Sequence, residues 1–171
     1  LYLEPGTPPG SHRLIMGIYN AATGMRLPVA DGRDFVELAH IEITKNQTIL
    51  PREAFQIQVE LDQPPLLGYD LYKLGHASSP DTPLFPGDPL HLNLYWQKSA
   101  SLPNSAVVDL RLLNEQGDFI TAWQYPVAGV DYSVSNWAEG EIIRGQFDLF
   151  LSGIQPGNYQ LEISIGDQVV G

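Results

Sequence analysis

The chain has 171 residues, 43% of them hydrophobic and 17% charged, and nine Lys and Arg against 20 Asp and Glu give a formal net charge of −11. A globular chain of this size buries roughly 70% of its unfolded surface, so it can build a real core, and its composition is far from that of disordered polymers. The negative field repels nucleic acid and anionic membranes, and the lack of Cys removes disulfides, thiol nucleophiles and thiolate zinc sites.

The chain opens on "LYLEPG", without an initiator Met or charged leader, and contains no apolar run of about 18 residues, so it is expected to be a piece of something larger. A first strand follows Pro-Gly in "PPGSHRLIMGIYN", residues 8–20, and after the turn "ADGRD" the run "FVELAHIEI" from Phe35 reads as a deeply buried strand. From Phe55 to Leu61 the apolar residues Phe55, Ile57, Val59 and Leu61 alternate with Gln56, Gln58 and Glu60, which predicts a strand with one wet face. Beyond "SSPDTPLFPGDP", the run "LHLNLYWQ" sets Leu90, Leu92, Leu94 and Trp96 against His91, Asn93, Tyr95 and Gln97. "AVVDLRLL" from Ala106 is a second deeply buried candidate, and Trp123, sharing a face with Phe119, reads as core. The last strand alternates from Tyr159 to Ile165 after the turn "QPGN". No helical period is sustained. Short strands punctuated by 16 Gly and 14 Pro predict an all-β protein, an antiparallel β-sandwich of jelly-roll or immunoglobulin-like form.

Two stretches of the chain look alike. Aligning Pro9-Gly10 with Pro156-Gly157 matches Leu14 with Leu161, Met16 with Ile163 and Ile18 with Ile165. With one extra residue in the earlier loop, "LYL" at 1–3 also falls on "LFL" at 149–151. This suggests a duplicated hairpin. On that reading, residues 1–45 are the closing part of a first β repeat, packed on a second repeat at 46–171 whose edges they cover.

The motifs "LLGYDLYKLG", "PGDPLHLNLYWQ", "LLNEQGDFITAW", "SNWAEGEII" and "PGNYQLEISIG" resemble the β-rich soluble region of many bacterial polytopic membrane proteins of the glycosyltransferase type. "PPGSHRLIMGIYNAATGMRLPV" is similar to the segment that closes such repeats, with His12 in place of the usual Tyr and Asn20 in place of the usual Asp. "ISIGDQVVG" lacks the aromatic and the Thr-Gly of that segment, so the second repeat ends differently or is cut short. The resemblance implies an extracytoplasmic appendage beside a membrane-embedded catalytic part, and no activity of the appendage itself. In a bacterial chain the acceptor-like "NQT" at Asn46 is coincidence.

Reactive constellations are few. His12, His40, His76 and His91 form no pair at metal-ligand spacing, and no Gly-x-Ser-x-Gly elbow or phosphate-cradling Gly loop occurs. Asp70, Asp109, Glu139 and Glu141 are the carboxylates considered for acid/base work, though an acidic sandwich surface explains them as well. "ADGRD" (Asp31, Asp34) and "PDTPLFPGD" (Asp81, Asp88) offer oxygen ligands for calcium, but Asp-Gly favours a turn in any case; no metal or other cofactor is expected. The densest aromatic region, "WQYPVAGVDYSVSNWAEGE", sets Tyr132 and Trp137 beside Asp131, Asn136 and Glu139, the mixture a sugar-stacking site uses. The same two rings would alternatively plug the open end of a sandwich.

Taken with the absence of a reactive motif, the resemblance implies a non-catalytic extracytoplasmic domain of a larger bacterial membrane-associated protein, with a scaffolding or recognition role. The alternative is a carbohydrate-binding module that contacts glycan or a lipid-linked sugar through Tyr132, Trp137, Asp131, Asn136 and Glu139. The partners implied are glycan or the membrane-embedded part of the parent protein, and not nucleic acid.

Overall fold

The computed structural model describes residues 3–18, 20, 26–63, 65–73, 84–85, 88–128 and 132–167. The chain divides into two compact units, Pro9–Asn46 on one side and Leu1–Pro8 with Gln47–Gly171 on the other.

The smaller unit is a hairpin of β1 (Gly10–Met16) and β2 (Val36–Ile43), antiparallel from Gly10↔Ile43 to Met16↔Val36, with an irregularity at Leu14/Ile15. Its connection is tied by Leu27 N–H donating to Ile18 O at 2.7 Å and Val29 N–H to Arg33 O at 2.7 Å. The deep burial expected of "FVELAHIEI" is not found: Val36 and Leu38 are exposed. Continuous apolar character told of β propensity here, not of depth, because a two-stranded ribbon has no second layer of its own.

The larger unit is an antiparallel β-sandwich. One sheet has the order β3 (Val59–Gln63), β4 (Leu66–Lys73), β5 (Pro89–Gln97), β8 (Ile142–Phe150). The other has the order β7 (Phe119–Pro126), β6 (Ala106–Asn114), β9 (Tyr159–Asp167). Period-two alternation decides what lies between them: Leu92, Leu94 and Trp96 of β5 and Leu149 of β8 meet Val108 and Leu110 of β6 in one core, with Trp123, Leu161 and Ile163 packed against it. Leu92, Leu94, Trp96 and Leu110 are wholly excluded from solvent. Each such aliphatic side chain contributes about 1.5–3 kcal/mol of transfer free energy. The β6–β7 hairpin turns at "NEQGD", where Asn114 Oδ1 accepts from Gln116 N–H at 3.0 Å and Asp118 N–H at 2.8 Å.

The strand expected from Phe55 to Leu61 is corrected. Arg52–Ala54 forms a 3-10 turn, and regular pairing begins only at Val59. Ahead of it, side chains replace the ladder: Gln58 N–H donates to Asp70 Oδ1 at 2.6 Å, and Leu71 N–H donates to Gln58 Oε1 at 3.0 Å. The alternation still orders the segment, because Phe55 joins Leu67, Tyr95 and Ile142 in a second apolar cluster with Ile57 packed against it. That cluster lies on the opposite face of β5 from the main core. Consequently β5 is buried on both sides, and its expected wet face is not wet.

Candidate functional site

The register of β4, β5 and β8 sets their outward side chains in rows. Gly68, Tyr95 and Arg144 stand abreast, then Asp70, Asn93 and Gln146, then Tyr72, His91 and Asp148. The first row is roofed. Glu4 pairs with Arg144, Thr7 Oγ1 accepts from Arg144 Nη2 at 3.2 Å, and Arg144 N–H donates to Gly6 O at 2.8 Å. Gly6 takes φ of 79°, and a Cβ there would stand 2.8 Å from the Phe55 ring, so only glycine brings the chain this close.

The second and third rows are polar and tied side chain to side chain. Tyr95 O–H donates to Asp70 Oδ2 at 2.7 Å, Asn93 Nδ2 donates to the same oxygen at 3.4 Å, and Gln58 N–H takes the other. His91 Nδ1 lies 2.6 Å from Asp148 Oδ1 and its Nε2 3.1 Å from Asn93 Oδ1, while the Tyr72 ring sits 4.9 Å from the imidazole. Asn93 is 1% exposed and His91 9%. Polar groups taken out of water to this depth must be bonded, and here they bond one another. Burial raises the phenol pKa of both Tyr95 and Tyr72, and for Tyr95 the hydrogen bond to Asp70 and the charge of that carboxylate push the same way. The Tyr95 proton is thus firmly held, as a donor.

Beside these rows opens a groove of about 510 Å³, with Asp70, Tyr72, Asn93 and Tyr95 along the sheet and the 55–58 segment and Glu4 along its wall. The opening has the size of a small-ligand site and mixes ring faces with fixed acceptors and amides. No match was found among protein-family models, curated proteins or solved structures. What the groove does must be read from its own geometry.

The residues singled out from sequence lie elsewhere. Tyr132 and Trp137 belong to the main core at 6% and 5% exposure, stacked with centroids 6.3 Å apart. Trp137 Nε1 donates to Tyr132 O at 3.3 Å, and Tyr132 O–H donates to Asn136 O at 3.2 Å. Of the two readings of these rings, the covered position agrees with the plug rather than with an exposed platform. Asn136 and Glu139 are exposed nearby, and Asp131 lies outside the described residues.

Of the carboxylates considered, only Asp70 enters the groove. Asp109 accepts from Gln124 Nε2 at 2.7 Å, and Glu141 accepts from Ala138 N–H at 2.6 Å. The calcium candidates face cations of the chain itself: Asp31 pairs with Arg33 at 2.6 Å, Asp34 with Arg26 at 3.4 Å and Asp88 with Lys73 at 2.7 Å. Asp81 and His76 lie outside the described residues. The described residues hold no cluster of three or more metal-ligating side chains, and His40 meets Glu37 at 2.7 Å.

Sequence reasoning passed over His91, Asn93 and Tyr95 as an ordinary wet face, and did not connect Gln58 and Tyr72 with them. A signal was present. The alternate positions of β4, β5 and β8 carry Asp, Tyr, His, Asn and Gln, where a merely solvated strand face would carry Lys, Glu and Thr.

Proposed function

We propose that this chain is a non-catalytic recognition domain, extracytoplasmic and part of a larger bacterial membrane-associated protein, whose groove over β4 and β5 takes a carbohydrate. The observation that carries the reading is the bonded array Asp70, Asn93 and Tyr95, backed by His91 and opening beside the Tyr72 ring into a groove of ligand size. Hydroxylated ligands need acceptors and donors pre-set at short spacing, with aromatic faces for their C–H surfaces. With Glu4 paired to Arg144, Asp70 is the carboxylate that sets the groove's charge; it discourages anionic ligands and favours neutral sugars. The non-catalytic role is supported by Asp70 itself. Both its oxygens accept from donors of the chain, Gln58 N–H and Tyr95 O–H, which ties the carboxylate into the fold as a positioned acceptor.

A glycan array followed by NMR titration tests this. Binding is expected to fall at least tenfold in Gln56→Ala, an exposed wall residue, with the unfolding midpoint nearly unchanged, and also in Tyr72→Ala, where the midpoint falls as well because Asn93 and His91 lose a neighbour. Retention of no glycan, or binding indifferent to both substitutions, would remove the carbohydrate reading and leave a scaffold.

A further inference from the structure

Among the described residues the sandwich is closed at one end and open at the other. Tyr132 and Trp137 pack onto the end that holds Trp96, whereas the opposite end, where Leu71 and Leu90 face Leu112 and Leu161, opens into a second groove of about 840 Å³. Its lining is largely apolar, aliphatic side chains together with the rings of Tyr69, Phe85 and Tyr159, and Leu84 and Ile154 are accessible there. Gln58 and Tyr72 line both this groove and the polar one, so the two hollows share a border at those side chains. The polar network and the apolar trough are thus neighbours.

Charge narrows the occupant. Among the described lining residues of the two hollows the single cation is Lys73, already 2.7 Å from Asp88 and with its ammonium 5.4 Å from the Phe85 ring centre. Glu4 and Asp70 stand on the polar side. A phosphate or carboxylate head would meet Asp70 there with no cation among the described lining residues left to answer it, since Lys73 is held by Asp88 and the neighbouring Arg144 by Glu4, and a free sugar would leave the apolar trough unfilled.

We infer that the joined hollows take one amphiphile, a glycolipid with an uncharged sugar head in the polar groove and its hydrocarbon chain along Leu71, Leu112 and Leu161. This inference rests on the carbohydrate reading of the polar groove and adds the ligand class. Leu84 and Ile154 gate the chain's path, and Gln58 and Tyr72 mark where head gives way to tail.

The test is a titration of the whole chain with methyl, butyl, hexyl and octyl β-D-glucopyranosides below their micelle concentrations, with octyl phosphate as the anionic counterpart. Full burial of two methylenes tightens binding about tenfold. A half-open trough should return at least about threefold for each added pair. Leu84→Glu and Ile154→Glu should abolish that chain-length dependence while leaving methyl glucoside binding intact, and octyl phosphate should bind at least tenfold more weakly than octyl glucoside. Methyl glucoside bound with no gain from butyl to octyl would overturn the glycolipid inference and spare the sugar reading. Octyl glucoside binding unmoved by either glutamate variant, or octyl phosphate binding as tightly, would also overturn it. Failure of every glucoside to bind would defeat both.

Discussion

Replacing Tyr95 by Phe removes one hydroxyl and leaves the ring, which stays edge-on to Phe55 at 6.2 Å. The lost bond is the 2.7 Å donation to Asp70 Oδ2. A hydrogen bond to a charged group contributes about 1.5–3 kcal/mol, but Asp70 borders the groove and water can replace part of the interaction, so the expected loss is about 1–2 kcal/mol. Urea unfolding followed by tryptophan fluorescence measures it well, because Trp96, Trp123 and Trp137 all lie in the sandwich unit. The midpoint should fall by about 0.5–1 M at neutral pH.

Alkali adds a second handle on the same substitution. In the fold the Tyr95 phenol keeps its proton to higher pH than in the unfolded chain, which ionises near pH 10. Above that pH the unfolded state binds fewer protons, so the contribution is fully present below about pH 10 and shrinks as pH rises, at up to about 1.4 kcal/mol per pH unit. The wild-type and Phe curves should therefore converge above pH 10. Equal stability at neutral pH, or a gap that stays constant through pH 11, would refute the assignment of Tyr95 as a buried donor to Asp70.

Trp137→Ala separates a plug from a binding platform. The ring is buried and stacked on Tyr132, so its removal should cost about 3–5 kcal/mol, seen as a large drop in the urea midpoint; an unchanged midpoint would mean the ring is not core. Gly68→Ala tests how closely the 57–59 segment lies on β4. Its Cβ would collide with Ile57 Cγ2 and Val59 O, so a loss of about 1–3 kcal/mol in the same assay is expected, and wild-type stability would show that the segment gives way freely.

The architecture was legible because a strand's period is short and local. Leu90, Leu92, Leu94 and Trp96 announce one face of β5 with no knowledge of their partners. Depth was not legible in the same way. Val36 and Leu38 carry strong β character yet stay exposed, because burial depends on what stacks above them. The site stayed hidden for the same reason. Asp70, Asn93 and Asp148 are far apart in sequence and become neighbours only through the registers of β4 with β5 and β5 with β8. In contrast, Tyr132, Asn136 and Trp137 drew notice by being close in sequence. Closeness there built a local plug, in which the Trp indole donates to a carbonyl five residues back.

The outer face of β5 also bears on why a polar row should exist at all. Toward Tyr95 the face is covered by Phe55, Leu67 and Ile142 packed around the ring, with the Glu4–Arg144 pair beside it. Had cover been the only requirement, leucines at positions 91 and 93 would have extended that cluster without the desolvation of an imidazole and an amide. Instead His91 and Asn93 are buried and stay satisfied only because Asp148, Asp70 and Tyr72 stand at matching register positions on both neighbouring strands. Such a network constrains five side chains on three strands to hold one geometry. An arrangement costlier than its apolar equivalent, set beside an opening of ligand size, is accounted for when the fixed polar atoms are used by something that enters the groove.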